Sequence, residues 1–310
     1  IMKTLKSKGS LLFYFVLALT AYSIFVVMDA IAKKLIGTYH VSQIIFINSW
    51  FALIPIGLYT TYKKSWVKLK NVDYKVQIAR ASFNFLSMTI FFVSSHYLSL
   101  VSLYSIIFIT PLILTIGANI FLKEKVGWRR YTAITVGFIG VVISINPFGE
   151  SYNKYALLAM LAPFLAASGW LIVKKYGKQE SIFSFMVYGK LFLIVATGLL
   201  LTVYFKSESK FDLFLNMVSG IIRGLGILLT FIAASKLPSS LFAPTQYVQI
   251  FTGAIIGYFY FGDIPTINNY IGNLLIIGAG LYIVFRELKL SRPIVSRSIR
   301  PAIIPINKED

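Results

Sequence analysis

Apolar residues run almost without interruption along this chain, divided into ten stretches by short polar connections. The stretches are Leu11–Ala32, Val41–Tyr62, Arg80–Leu98, Leu100–Leu122, Tyr131–Ile145, Tyr155–Val173, Ile182–Tyr204, Leu213–Ala234, Ser239–Phe261 and Asn268–Phe285. A helix needs about 20 mostly apolar residues to cross hydrocarbon, and most of these reach that length. Their continuity argues against a barrel, whose strands alternate over about ten residues. The pattern predicts an all-α integral membrane protein with ten transmembrane helices.

The second five stretches echo the first. Leu98–Val142 aligns with Leu237–Leu281 at an offset of 139 or 140, which sets Tyr131 opposite Tyr270 and Gly140 opposite Gly280. A repeat with an odd number of spans must sit upside down relative to its twin, the arrangement used for alternating access. The expected organisation is a short cytoplasmic N-terminus (1–10), a first repeat (11–145), a second repeat (146–285) and a basic tail (286–310). Pro293, Pro301 and Pro305 predict disorder in that tail.

Charge changes the picture by fixing orientation. The chain is 57% hydrophobic and 13% charged, with 30 Lys and Arg against 11 Asp and Glu. The basic residues are spread between spans instead of forming one patch, so they read as a topology signal and not as a nucleic-acid surface. With the N-terminus inside, 23 of the 30 fall on one side and five on the other. The positive-inside bias then places both termini in the cytoplasm and requires an even span count. Lys33 and Lys34 follow the first span without a small-residue cleavage site, so that span is read as an anchor.

Candidate chemistry sits inside the spans. Arg223 falls near the middle of span eight, where a cation costs about 2.5–3.5 kcal/mol on the insertion scale. Asn216, Ser219, Gly220, Arg223, Gly226 and Thr230 recur at helical spacing as one polar face. That face either lines a wet cavity or packs on another helix, with Arg223 tying down backbone carbonyls in the second case. No carboxylate partner for Arg223 is visible in the sequence, so a substrate carboxylate is the expected one. Gln246, Tyr247 and Gln249 form a matching cavity face on span nine, beside Pro244, which frees a carbonyl near Ser240. Gly253 and Gly257 read as a helix-packing pair. Asp29 and Lys33 have the favourable i,i+4 spacing, either as a self-neutralising pair or as an outer gate or coupling site. Asn84 and Ser87 on span three are placed within reach of the cavity, with Arg80 an interfacial anchor. Trp170 is read either as stacking on a substrate or as packing, and Lys190 as snorkelling inward.

Enzymatic readings find little support. There are no cysteines and only two isolated histidines, no nucleophile elbow and no phosphate-cradling glycine loop. No metal or cofactor is called for.

The Leu122-Lys123-Glu124-Lys125 turn, Pro111, the Gly137 and Gly140 span, Trp170 and Gly262-Asp263-Ile264-Pro265 together resemble the drug/metabolite transporter superfamily in its EamA-type ten-helix branch. Asp29 with Lys33, Ala243-Pro244 with Tyr247, and Phe261 to Pro265 are similar to the bacterial group that includes S-adenosylmethionine uptake carriers. That group carries an acidic residue and an arginine early in span two, where this chain has Gln43 and Asn48. The resemblance implies a secondary transporter of the bacterial inner membrane. It would move a small polar or amphipathic metabolite such as S-adenosylmethionine, with export of metabolites or toxic compounds as the competing direction. Membrane lipid and the metabolite are the expected partners, and spans five and ten are left to a homodimer contact or to peripheral packing. No ATP-binding motif is present and Asp29 is the one deep acid, which favours exchange over tight proton coupling.

Overall fold

The computed structural model describes residues 2–69, 72–123, 127–146, 153–176, 181–237 and 242–289, and these are helical throughout their regular elements. The helices are α1 (Met2–Ile36), α2 (Val41–Tyr62), α3 (Tyr74–Ser95), α4 (Leu100–Ile107), α5 (Thr110–Leu122), α6 (Trp128–Ile145), α7 (Tyr155–Ala159), α8 (Leu161–Tyr176), α9 (Ile182–Tyr204), α10 (Lys210–Lys236), α11 (Val248–Ile256) and α12 (Ile267–Lys289). Glu124 and Lys125 of the acidic turn, Ser240 and the tail from residue 290 lie outside the described residues.

Among the described residues, seven helical segments are long and apolar enough to cross a membrane, and Ile267–Ile283 is a shorter apolar helix. Polar N-caps set the starts. Asp73, Ser99, Ser181 and Ser209 each accept a bond from a backbone N–H of the first turn. Thr266 and Asn269 exchange bonds reciprocally ahead of α12. The third span is shifted from its expected start: α3 begins at Tyr74, so Arg80 sits nearly two turns inside the helix. The reason is Asp73, which caps the helix earlier than hydropathy alone indicates.

Two spans are broken at repeat-related levels. α4 ends at Ile107, and Pro111, which lacks an N–H, opens α5. In the second half a 3₁₀ segment, Ala243–Tyr247, carries Pro244 and gives way to α11 at Val248. Phe108 and Tyr247, which mark the two breaks, touch each other with ring centroids 5.2 Å apart. The π-helical segment Gly257–Phe261 then ends on Gly262, whose φ of +69° suits glycine.

Small residues set the closest helix contacts. α6 and α12 meet at Gly140 and Gly272, where a Cβ on either would fall 2.7 or 2.4 Å from the other's carbonyl oxygen. α10 lies as tightly on α2, with Gly220 against the Asn48 backbone and Gly224 against Ala52. Outward-facing side chains such as Leu58, Ile120, Leu199, Phe259 and Leu274 are largely exposed, giving the bundle the apolar exterior a bilayer solvates.

The lysine-poor connections gather at one end of the bundle and are interlocked. Lys33 Nζ donates to the Leu98 carbonyl (2.7 Å) and to Asp263 Oδ2 (3.3 Å). Gln43 Nε2 donates to the Lys206 carbonyl and to Glu208 Oε1, and Tyr39 donates to Asp212. Burial pushes the Glu208 carboxyl above the usual carboxylate range, against the hydrogen bonds from Gln43 and Asn216.

Candidate functional site

The polar interior is built on a cross-helix ion pair. Arg223 of α10 donates through Nη2 to Asp29 Oδ1 on α1 at 3.1 Å. Tyr104 of α4 donates to the other carboxylate oxygen at 2.8 Å. The Arg223 guanidinium also lies over the Phe92 ring, 5.3 Å from its centroid. Three helices, α1, α4 and α10, thus meet at one buried carboxylate, which is 8% exposed, and α3 joins them through Phe92. Both carboxylate oxygens are satisfied, whereas Arg223 Nε has no partner. In a low-dielectric setting such a charge-assisted arrangement is strong only while both members stay paired.

Two further cations reach this interior. Lys190 of α9 is 8% exposed, and the charged groups acting on it are Arg223 and Arg80. Arg80 donates to the Phe185 carbonyl at 2.9 Å and stacks over the Phe185 ring. It rests beside Gly189, whose missing Cβ leaves it room.

These contacts correct several expectations. Arg223 does have a carboxylate partner, Asp29, which sits 194 residues away in the chain and could not be paired with it by spacing. Asp29 and Lys33 do not pair with each other; Lys33 goes to Asp263 instead. Ser219 accepts from Asn48 Nδ2 at 2.6 Å, and Asn216 donates to Glu208, so that face of α10 packs on α2 and the adjoining connection. Gly226 packs against the Phe25 ring. Ser87 donates to the Ala162 carbonyl and joins α3 to α8. Arg80 is half-buried and bonds α3 to α9 through the Phe185 carbonyl, and Lys190 is buried.

Other candidates stand apart from the pair. Asn84 and Trp170 are exposed, Trp170 by 49%, and no contact ties either to Arg223. Tyr247 packs over Gly280 and Phe108. Gln246 and Gln249 are half-buried and make no hydrogen bond among the described residues. Gly253 packs on Tyr104, as its packing reading required. Gln43 and Asn48, the departures in span two, are both buried and bonded across to the second half. Sequence reasoning missed Tyr104, Phe92 and Glu208. None carries a local signal, since each acquires its role from a helix distant in sequence. Among the described residues no cluster of His, Cys, Asp or Glu could hold a metal ion.

Comparison with known proteins bears on this arrangement. A solved structure matches the fold with a TM-score of 0.61, at 12% identity, over 91% of this chain and 99% of that one. The S-adenosylmethionine uptake transporter of Rickettsia bellii is 28% identical over 276 residues, which is 89% of this chain and 94% of the relative. A riboflavin transporter of Vibrio cholerae is 40% identical over 79 residues, 26% of each chain. The EamA-like transporter family matches twice, at residues 12–146 and 153–286. Its members and these relatives are transporters and not enzymes. With the buried ion pair and the apolar multi-helix exterior, the double match establishes that this chain belongs to the EamA-like transporter family.

Proposed function

We propose that this protein is a secondary transporter of the bacterial inner membrane that works by alternating access between two inverted five-helix halves. The substrate is a small polar or amphipathic metabolite with an acidic group, with S-adenosylmethionine and other amino-acid-like compounds among the candidates. The observation that carries this reading is the Asp29–Arg223 pair, which joins α1 of the first half to α10 of the second inside the membrane. A substrate acid group that competes with Asp29 for Arg223 binds the two states of the cavity differently, which is what a ligand must do to shift them. The double family match and the paired helix breaks at Phe108 and Tyr247 support the duplication. Lys33, bonded to Asp263 and the Leu98 carbonyl, acts as a gate at the outer end.

Orientation is open to a direct test, because the chain has no cysteine of its own. A cysteine at Ser207 is expected to react with an impermeant maleimide in intact cells, and one at Lys64 only after permeabilisation. Labelling at Lys64 in intact cells overturns the cytoplasmic placement of the termini.

Transport is tested by counterflow in proteoliposomes with labelled S-adenosylmethionine, methionine, glutamate and riboflavin 5′-phosphate. Exchange of at least one compound is expected, with no accumulation driven by a pH gradient alone. A folded protein that exchanges none of them sinks the transport reading. Accumulation under a pH gradient without internal substrate sinks the exchange mode.

A further inference from the structure

We propose that Lys190, together with Arg80, forms an oxyanion subsite of the transport cavity, and that the substrate is therefore an organic anion with a carboxylate or phosphate beyond what Asp29 offers. This rests on the transport reading and narrows its substrate class. Lys190 is more than nine-tenths buried, and among the described residues its ammonium has no hydrogen bond and no ion pair. Burying an unpaired charge is costly, so native proteins pair such a group, let it shed its proton or leave it for a ligand.

The described carboxylates are all engaged elsewhere. Asp29 is held by Arg223 and Tyr104, Asp263 by Lys33, and Asp212 by Tyr39 and Ser209. Glu208 is bonded to Gln43 and Asn216, and Asp73 caps α3. The charged groups that act on Lys190 are the guanidiniums of Arg223 and Arg80, both of its own sign. Asp29 pairs with Arg223 alone, and Arg223 still has an unbonded Nε. With Asp29 ionised against Arg223, Lys190 and Arg80 are the cations left over, an excess of two positive charges when Lys190 is protonated, the form that an anion beside it favours. An oxyanion between Lys190 and Arg80 supplies the missing acceptor, and Gly189 keeps Arg80 against the same turn of α9. A metabolite of net positive charge, such as S-adenosylmethionine with its sulfonium and ammonium, would add to the excess.

The test uses the purified full-length protein in detergent and reads its melting midpoint at constant ionic strength. Inorganic phosphate, citrate, S-adenosylmethionine and dioctanoyl phosphatidylglycerol are the probes, against a chloride control. Phosphate or citrate is expected to raise the midpoint by roughly 3 °C at millimolar concentration, and whichever does so identifies the acid group. The rise should vanish in Lys190→Gln and persist in Lys190→Arg, which keeps the charge and guards against a folding defect. Ligand-free Lys190→Gln should melt no lower than wild type, since it sheds a repelled cation. A rise that is absent for both anions, or equal in Lys190→Gln, overturns the proposal. So does stabilisation confined to the lipid, or to S-adenosylmethionine with no dependence on Lys190. Counterflow that survives such a result leaves the transport reading standing while the anion subsite falls.

Discussion

Arg223→Ala is expected to abolish transport and to destabilise the protein, by about 3–5 kcal/mol if the loss matches that of other broken buried pairs. The cause is the Asp29 carboxylate, which is 8% exposed and would keep only its bond from Tyr104. Arg223→Lys preserves the charge but not the planar fork, so a partial loss is expected from it. The double replacement Asp29→Leu with Arg223→Met separates structure from function. Removing both charges together takes away the desolvation cost, so the melting midpoint should return to near wild type. Transport should not return, because no group remains to exchange partners with a substrate. Midpoints in detergent and counterflow rates in proteoliposomes check both parts. Wild-type counterflow by the double variant would reduce the pair to a fastener.

Gly272→Leu is expected to be strongly disruptive although it lies outside the polar cluster. A Cβ at this position would lie 2.4 Å from the Gly140 carbonyl oxygen and 2.6 Å from Ser144 Cβ. Most of these atoms belong to the backbone of α6 or lie next to it, so no side-chain rotation can make room, and α6 and α12 must separate. Overpacking of this kind costs about 1–3 kcal/mol, and more where backbone must move. Separation would also strain Asn269, which donates to the Ser144 carbonyl and hydroxyl one turn away. Gly278→Leu on the same helix is the control, since nothing lies within 4 Å of a Cβ there. Melting midpoints and the monodisperse fraction on size exclusion should fall for Gly272→Leu and hold for Gly278→Leu. Equal behaviour of the two would refute the close α6–α12 contact.

Several tertiary features were legible in the chain because they depend on local composition. Val41–Tyr62 and Ile182–Tyr204 are helices with the bounds that hydropathy indicated. The packing role of Gly253 was likewise readable. Boundaries moved where a cap outweighed hydropathy, as Asp73 does for α3, and that shift sets Arg80 nearly two turns inside the helix, bonded to the Phe185 carbonyl.

What the sequence determined by itself was the class of protein: long apolar runs, a duplicated pattern and a one-sided distribution of Lys and Arg. These follow from the bilayer, which demands about 20 apolar residues per crossing whatever the neighbours are. Only the tertiary structure decided which polar groups meet. Arg223 finds Asp29 from 194 positions away, Lys33 turns from Asp29 to Asp263, and Lys190 and Arg80 have no carboxylate partner among the described residues. Helical spacing states which residues share a face but not which helix that face meets. For Asn216 and Ser219 the neighbour was α2 and its connection instead of a cavity. The partner of a buried charge is set by helix packing, and helix packing is set by small residues such as Gly220, Gly224 and Gly272, whose contacts span the whole chain.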